Sequence, residues 1–142
     1  MFSQQIHIVN WQDQAPVLRA IRESVFIHEQ QVPVELEWDE FDEICLHILA
    51  MSPQGEPIGT ARLLQDGYIG RMAVLKEWRG KGFGSAMMLR LLEESRNQGT
   101  KEVVLNAQTS AIGFYERFGF KVTGEEFIEA GIPHVRMILW LS

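Results

Sequence analysis

This sequence predicts a mixed α/β domain: a central, mostly antiparallel sheet that holds one parallel strand pair and is flanked by helices. Two observations carry that expectation. Residues 45–51, 58–64 and 68–75 are three strand-like runs joined by Ser52-Pro53-Gln54-Gly55 and by Asp66-Gly67. Asp-Gly between apolar runs is a hairpin signal, so these strands form an antiparallel meander. The period then changes to a helical one and back, making residues 68–107 a strand, helix, strand unit. A crossover helix between two strands of one sheet makes that pair parallel and its connection right-handed.

Length and composition bound the rest. With 142 residues, 46% hydrophobic and 23% charged, the chain suits a single domain over residues 1–142. A chain of about 150 residues buries roughly 68–70% of its unfolded surface and needs no staple. The single cysteine, Cys45, leaves no pairing within the chain and fits a reducing compartment. Met1-Phe2-Ser3-Gln4-Gln5 lacks the basic and apolar regions of a leader, and no run approaches a membrane span, so a cytoplasmic protein is expected. Thirteen Lys and Arg against nineteen Asp and Glu give a net charge of −6, which disfavours nucleic acid and acidic membrane surfaces. The charge is uneven. Glu35, Glu37, Asp39, Glu40, Asp42 and Glu43 fall within nine residues, and Arg71, Lys76, Arg79 and Lys81 within eleven, which invites an anionic ligand at the basic group.

Taken in order, Ile6 and Ile8 alternate with Gln5 and His7 as in a short strand. Asp13 then offers an N-cap ahead of Pro16, and Val17, Leu18, Ile21 and Val25 supply a helical stripe. The stripe fails at Val32-Pro33, and an acidic, irregular stretch runs to Glu43. After the meander, Phe83, Met87, Met88, Leu91, Leu92 and Ser95 recur at helical spacing, with Gly99 where the helix should stop. Val103, Val104 and Leu105 are consecutive, as in a strand buried on both faces. Ser110 is a candidate cap for a short helix striped by Ala111, Phe114, Tyr115 and Phe118 and ended by Gly119. Strands near 120–127 and 135–141 follow, with Glu129-Ala130-Gly131 turning between them. No repeat, low-complexity tract or linker is evident.

Chemistry concentrates in Arg79-Gly80-Lys81-Gly82-Phe83-Gly84, between a strand and a helix N-terminus. Three glycines in five residues are unfavourable in conformational entropy unless the backbone must turn sharply with its N–H groups uncovered. A helix N-terminus presents unpaired donors and a partial positive charge, which suits phosphate, and Arg79 and Lys81 stand beside it. A tight turn with solvated cations is the plainer reading. Two familiar phosphate loops fail: there is no G-x-x-x-x-G-K-[ST] run, and Ser85 stands where G-x-G-x-x-G needs its third glycine.

The six residues instead match [QR]-x-x-G-x-[GA], the pyrophosphate signature of the GNAT N-acetyltransferase superfamily, at every fixed position. Residues 111–120, AIGFYERFGF, resemble that superfamily's late short helix with its aromatic pair and Gly-Phe turn. The order of elements agrees along nearly the whole chain. Residues 22–31 with Val32-Pro33, Leu105-Asn106-Ala107-Gln108 and Gly131-Ile132-Pro133-His134 resemble a small bacterial branch, the ElaA-like group.

The resemblance implies acetyl-CoA as co-substrate. Its pyrophosphate would rest on the amides of Arg79, Gly80, Lys81, Gly82, Phe83 and Gly84 and on Ser85, and its pantetheine arm would pair with Met72, Ala73 and Val74 as an added half-strand. The parallel strands would splay to admit the thioester, with Asn106 and Phe114 beside it. Tyr115 is the candidate general acid, because a phenol with reference pKa near 10 stays protonated and able to donate to a departing thiolate. A core aromatic is the alternative reading of Tyr115.

Many relatives place a glutamate base in the central strands, but residues 68–75 and 103–108 contain no acid. Glu29, Glu126, His134 and water stay open for that role. The acidic run is either solvated surface or an attractor of a cationic amine, with Trp38 and Phe41 nearby to face an ammonium. Glu29, Trp38 and His134 are therefore the acceptor-side candidates. His7, His28, His47 and His134 show no ligand spacing, so no metal is expected. The activity implied is acetyl transfer to a primary amine of a small molecule or protein by direct attack. Alternatives are an acyl-CoA-binding sensory module, or a longer acyl donor as in autoinducer synthases, whose Arg and Phe are spaced like Arg22 and Phe26. Self-association, if any, would run through the late strands.

Overall fold

The computed structural model describes residues 5–141; residues 1–4, which hold most of the stretch read for a leader, and residue 142 lie outside the described residues. Seven strands form one sheet: β1 (Ile6–Val9), β2 (Leu46–Met51), β3 (Pro57–Leu63), β4 (Tyr68–Val74), β5 (Glu102–Gln108), β6 (Lys121–Glu129) and β7 (Ile132–Trp140). Their spatial order is β1-β2-β3-β4-β5-β7-β6. Every pairing is antiparallel except β4 with β5, as expected from the crossover helix. The last hairpin turns back so that β7, not β6, docks on β5.

Helix α1 (Trp11–Arg22) opens on Asn10, whose side chain accepts from the Gln12 amide at 2.8 Å. The cap therefore precedes the expected Asp13, and Pro16 falls in the second turn. The chain continues as a π-helix over Glu23–Glu29, which keeps Val25 and Phe26 both buried. The stretch expected to be irregular contains a single turn, α2 (Val34–Glu37), and a 3₁₀ turn at Glu40–Glu43. Helix α3 (Phe83–Asn97) ends before Gly99, at φ +77°. Ser110 lies inside a 3₁₀ turn and does not cap α4 (Ile112–Glu116), whose first turn has no side-chain cap.

Alternation along β2 divides the core. Ile48 and Ala50 pack with Met87, Met88, Leu91 and Leu92 of α3, while Leu49 faces Leu18 and Ile21 of α1 and Val25 of the π-helix. Val103, Val104 and Leu105 are all buried, so β5 is covered on both faces.

One irregularity positions the site. Parallel pairing holds only Tyr68 to Val104 and Ile69 to Leu105, after which β4 and β5 diverge. On the β3 side the register slips between Thr60 and Arg62, and Arg71 opposite the slip sits at φ +52°, a bulge conformation that bends the strand. Beyond it, the β5-facing edge of Met72, Ala73 and Val74 has no strand partner among the described residues.

Candidate functional site

The divergence opens a cleft with two chambers. The first, about 470 Å³, is walled by Met72, Ala73 and Val74, floored by Arg79, Gly80, Gly82, Phe83, Gly84 and Ser85, and closed opposite by Phe114, Tyr115 and Arg117. Of the residues expected on this side, Lys81 and Asn106 do not line it.

The floor is backbone by design of its sequence. Gly80 and Gly82 hold φ of +74° and +96°, the left-handed region that side chains disfavour. A Cβ on Gly80 would meet nothing within 4 Å, so glycine is there for the turn itself. Gly84 differs: its backbone is ordinary, and a Cβ would stand 3.4 Å from the Phe114 ring. No side chain caps the start of α3, which leaves the helix's donors and partial positive charge directed at the chamber.

The expected contribution of Arg79 is amended. Its guanidinium grips the Glu29 carboxylate at 2.6 and 2.7 Å and its Nε donates to the Val74 carbonyl at 2.9 Å. The Arg79 hydrogen bond holds the Glu29 carboxyl below its usual range. Arg79 therefore braces the loop against the end of the π-helix, and Glu29 lines neither chamber.

The second chamber, about 530 Å³, shares Met72, Ala111 and Tyr115 with the first. Phe26, Val32, Leu36, Ile69 and Ile132 give it apolar walls; Tyr68, Asn106, Glu129 and His134 give it polar ones. Tyr115 stands at the junction, packed edge-on against Phe114 and Phe120, and burial pushes its phenol up to about 12. Its hydroxyl has no hydrogen-bond partner among the described residues, and its ring packs against the main core. Asn106 donates to Glu129 at 3.3 Å, and Gln108 at the end of β5 donates to Gln30 at 2.9 Å across the cleft. His134 is buried, stacks on Phe127 with centroids 5.9 Å apart, and contacts the Ile132 carbonyl through Nδ1 at 2.7 Å.

The acidic run is corrected. Glu35, Glu40 and Glu43 are exposed, but Glu37, Asp39 and Asp42 are consumed by three arginines. Arg22, 1% exposed, donates to Glu37 and to Asp42 at 2.7 Å each. Arg62 binds Asp39 through both terminal nitrogens and reaches Asp42 at 2.9 Å. Arg71 approaches Glu37 and Asp39 at 3.3 Å. Three cations balance three anions, so this cluster fastens residues 34–43 to β3 and β4 and is no free magnet for an amine. Trp38 lies with its ring 4.9 Å from the Arg22 guanidinium and lines neither chamber. Sequence reasoning puts Arg71 with the basic group that invites an anion, where it in fact pairs with Glu37 and Asp39, and misses the pairing of Arg22 and Arg62 with the acidic run; the one available signal is Arg22 inside the buried stripe of Leu18, Ile21 and Val25.

Cys45 precedes β2 instead of opening it, and burial pushes its thiol up to about 11. Among the described residues no group of three or more His, Cys, Asp or Glu side chains is placed to hold a metal, and no helix is long and apolar enough to cross a membrane.

Comparison with known proteins agrees with this geometry. Residues 12–141 match the acetyltransferase (GNAT) domain. The uncharacterised N-acetyltransferase YjcF of Bacillus subtilis is 40% identical over 122 residues, covering 83% of this chain and 86% of that protein. ElaA of Escherichia coli is 31% identical, covering 92% and 95%, and its crystal structure superposes with a TM-score of 0.83 over 94% of this chain and 97% of that one. An acyl-CoA N-acyltransferase from Pseudomonas aeruginosa superposes with a TM-score of 0.83 at 29% identity, covering 94% and 97%.

Proposed function

Because the chain belongs to the GNAT acetyltransferase family, whose fold it shares over nearly its whole length, we propose that it transfers an acetyl group from acetyl-CoA to a primary amine of a small molecule or protein. One observation carries this reading: a chamber floored by bare backbone and a chamber walled by side chains meet at Met72, Ala111 and Tyr115. Two substrates entering from opposite sides would meet there, which suits direct attack within a ternary complex. No covalent intermediate is needed, and Cys45, held as a thiol by burial, lines neither chamber.

The residues fit the donor. The uncapped start of α3 and the left-handed turns at Gly80 and Gly82 suit a diphosphate, and the unpaired edge of Met72 to Val74 suits the amide-bearing arm. Acetyl-CoA supplies an activated acyl thioester. Tyr115 supplies a proton: its raised pKa keeps the phenol protonated at neutral pH, and its unpartnered hydroxyl is available to a departing sulfur.

Thiol release from acetyl-CoA, measured with benzylamine, putrescine, lysine and a lysine peptide, tests the proposal. Release with at least one amine is expected. Tyr115→Phe should lower kcat about 100-fold with coenzyme A affinity unchanged, and undiminished turnover would remove its role. Tight coenzyme A binding with no release from any amine would favour a sensory module; faster turnover of octanoyl-CoA would favour a longer acyl donor.

A further inference from the structure

Resting on that reading, we propose that His134 is the catalytic base that takes the proton from the attacking amine. The two ring nitrogens have different fates. Nδ1 lies 2.7 Å from the Ile132 carbonyl oxygen, which can only accept, so Nδ1 carries the hydrogen. The neutral ring then bears its lone pair on Nε2. Nε2 has no hydrogen-bond partner among the described residues, and His134 is one of the residues lining the side-chain chamber that Tyr115 joins to the backbone-floored one. Stacking on Phe127 fixes the ring plane, and pairing of β7 with β5 sets His134 beside Gln108, at the end of the strand that borders the cleft.

The carboxylates are worse placed. Glu29 grips Arg79 outside the chamber, and the exposed Glu126 lines neither chamber. Glu37 lines the chamber but is held by Arg22 and Arg71, so protonating it would strip two partly or wholly buried cations of a partner. Glu129 is exposed at the rim and accepts from Asn106. The step balances without a further reactant. The amine nitrogen bonds to the acyl carbon as its proton passes to Nε2, and the carbon–sulfur bond breaks as the Tyr115 hydroxyl proton passes to sulfur. Water returns the proton from His134 and resupplies Tyr115.

His134→Asn isolates the role, because the asparagine amide can still donate to the Ile132 carbonyl while nothing remains at the Nε2 position. With an amine that the wild type acetylates, this variant should lose about 100-fold in kcat, keep its melting temperature and coenzyme A affinity, and regain part of its activity with added imidazole. Turnover near wild type would overturn the assignment, as would a loss in Glu37→Gln or Glu129→Gln that His134→Asn does not share. A second readout needs no acceptor. Carbethoxylation by diethyl pyrocarbonate, mapped by mass spectrometry, should mark His134 with coenzyme A present, and an unmarked His134 would reject a nitrogen open to the chamber. Failure of the wild type with every amine would instead count against the acetyltransferase reading itself, leaving the carbethoxylation result to decide whether His134 has a nitrogen open to the chamber.

Discussion

The two chambers of the cleft are built from opposite materials. The first chamber, proposed above for the acyl donor, rests on main chain: two glycines at positive φ, the uncapped first turn of α3 and the edge of β4 that has no strand partner. The second chamber takes its walls from side chains of the π-helix, α2, β4, β5, β7 and the last hairpin turn. Main chain offers the same donors whatever side chains vary around it, so the first chamber suits a ligand shared across a family. Side chains change one at a time, so the second suits whatever each member must distinguish.

This contrast predicts that the two halves fail separately. The largest effect should come from Arg22→Ala, which takes one of two arginine partners from each of the buried Glu37 and Asp42. Breaking such a pair costs about 3–5 kcal/mol, which lowers the melting temperature by about 10 °C in calorimetry. Coenzyme A affinity of the folded fraction should not change; a parallel loss would show that the chambers are not independent. Next comes Gly84→Ala. Its methyl has room against Phe114 at 3.4 Å, and alanine favours a helix over glycine by about 1 kcal/mol, so the melting temperature should hold or rise. Coenzyme A binding, by titration calorimetry, should stay within about threefold of wild type, or about 0.7 kcal/mol, because the signature that residues 79–84 match takes alanine as well as glycine here. A tenfold loss would show that the ligand approaches this backbone more closely than the signature requires. The smallest effect is expected of Glu29→Gln. The Glu29–Arg79 pair is 36% and 39% exposed, so its loss should cost less than about 1 kcal/mol. It also frees the guanidinium, and coenzyme A affinity should rise about threefold at low salt and lose that gain at high salt.

Legibility followed the same division. The loop 79–84 is contiguous, and its glycine spacing encodes a backbone shape, so its exposed turn was legible; five of its six residues line the first chamber. The meander and the parallel pair were legible because period and turn residues are local properties. The arginine cluster was not, since Arg22, Glu37, Asp42 and Arg62 meet only after the sheet has formed, and a run of carboxylates looks alike whether solvated or paired. Asn10 was passed over for Asp13 because both are good caps and only the entry path from β1 chooses between them. The placement of β7 against β5 was equally hidden, since a hairpin signal does not say which of its strands docks.

The brief contact between β4 and β5 has one more meaning. Two register pairs are all that knit the left half of the sheet to the right before the strands part, so the fabric carries a slit. A thioester arm lying along Met72 to Val74 would act as a suture, restoring hydrogen bonds that the polypeptide leaves undone. Occupancy would then register as slower amide exchange along both lips of the slit, and saturating coenzyme would make the whole molecule harder to melt.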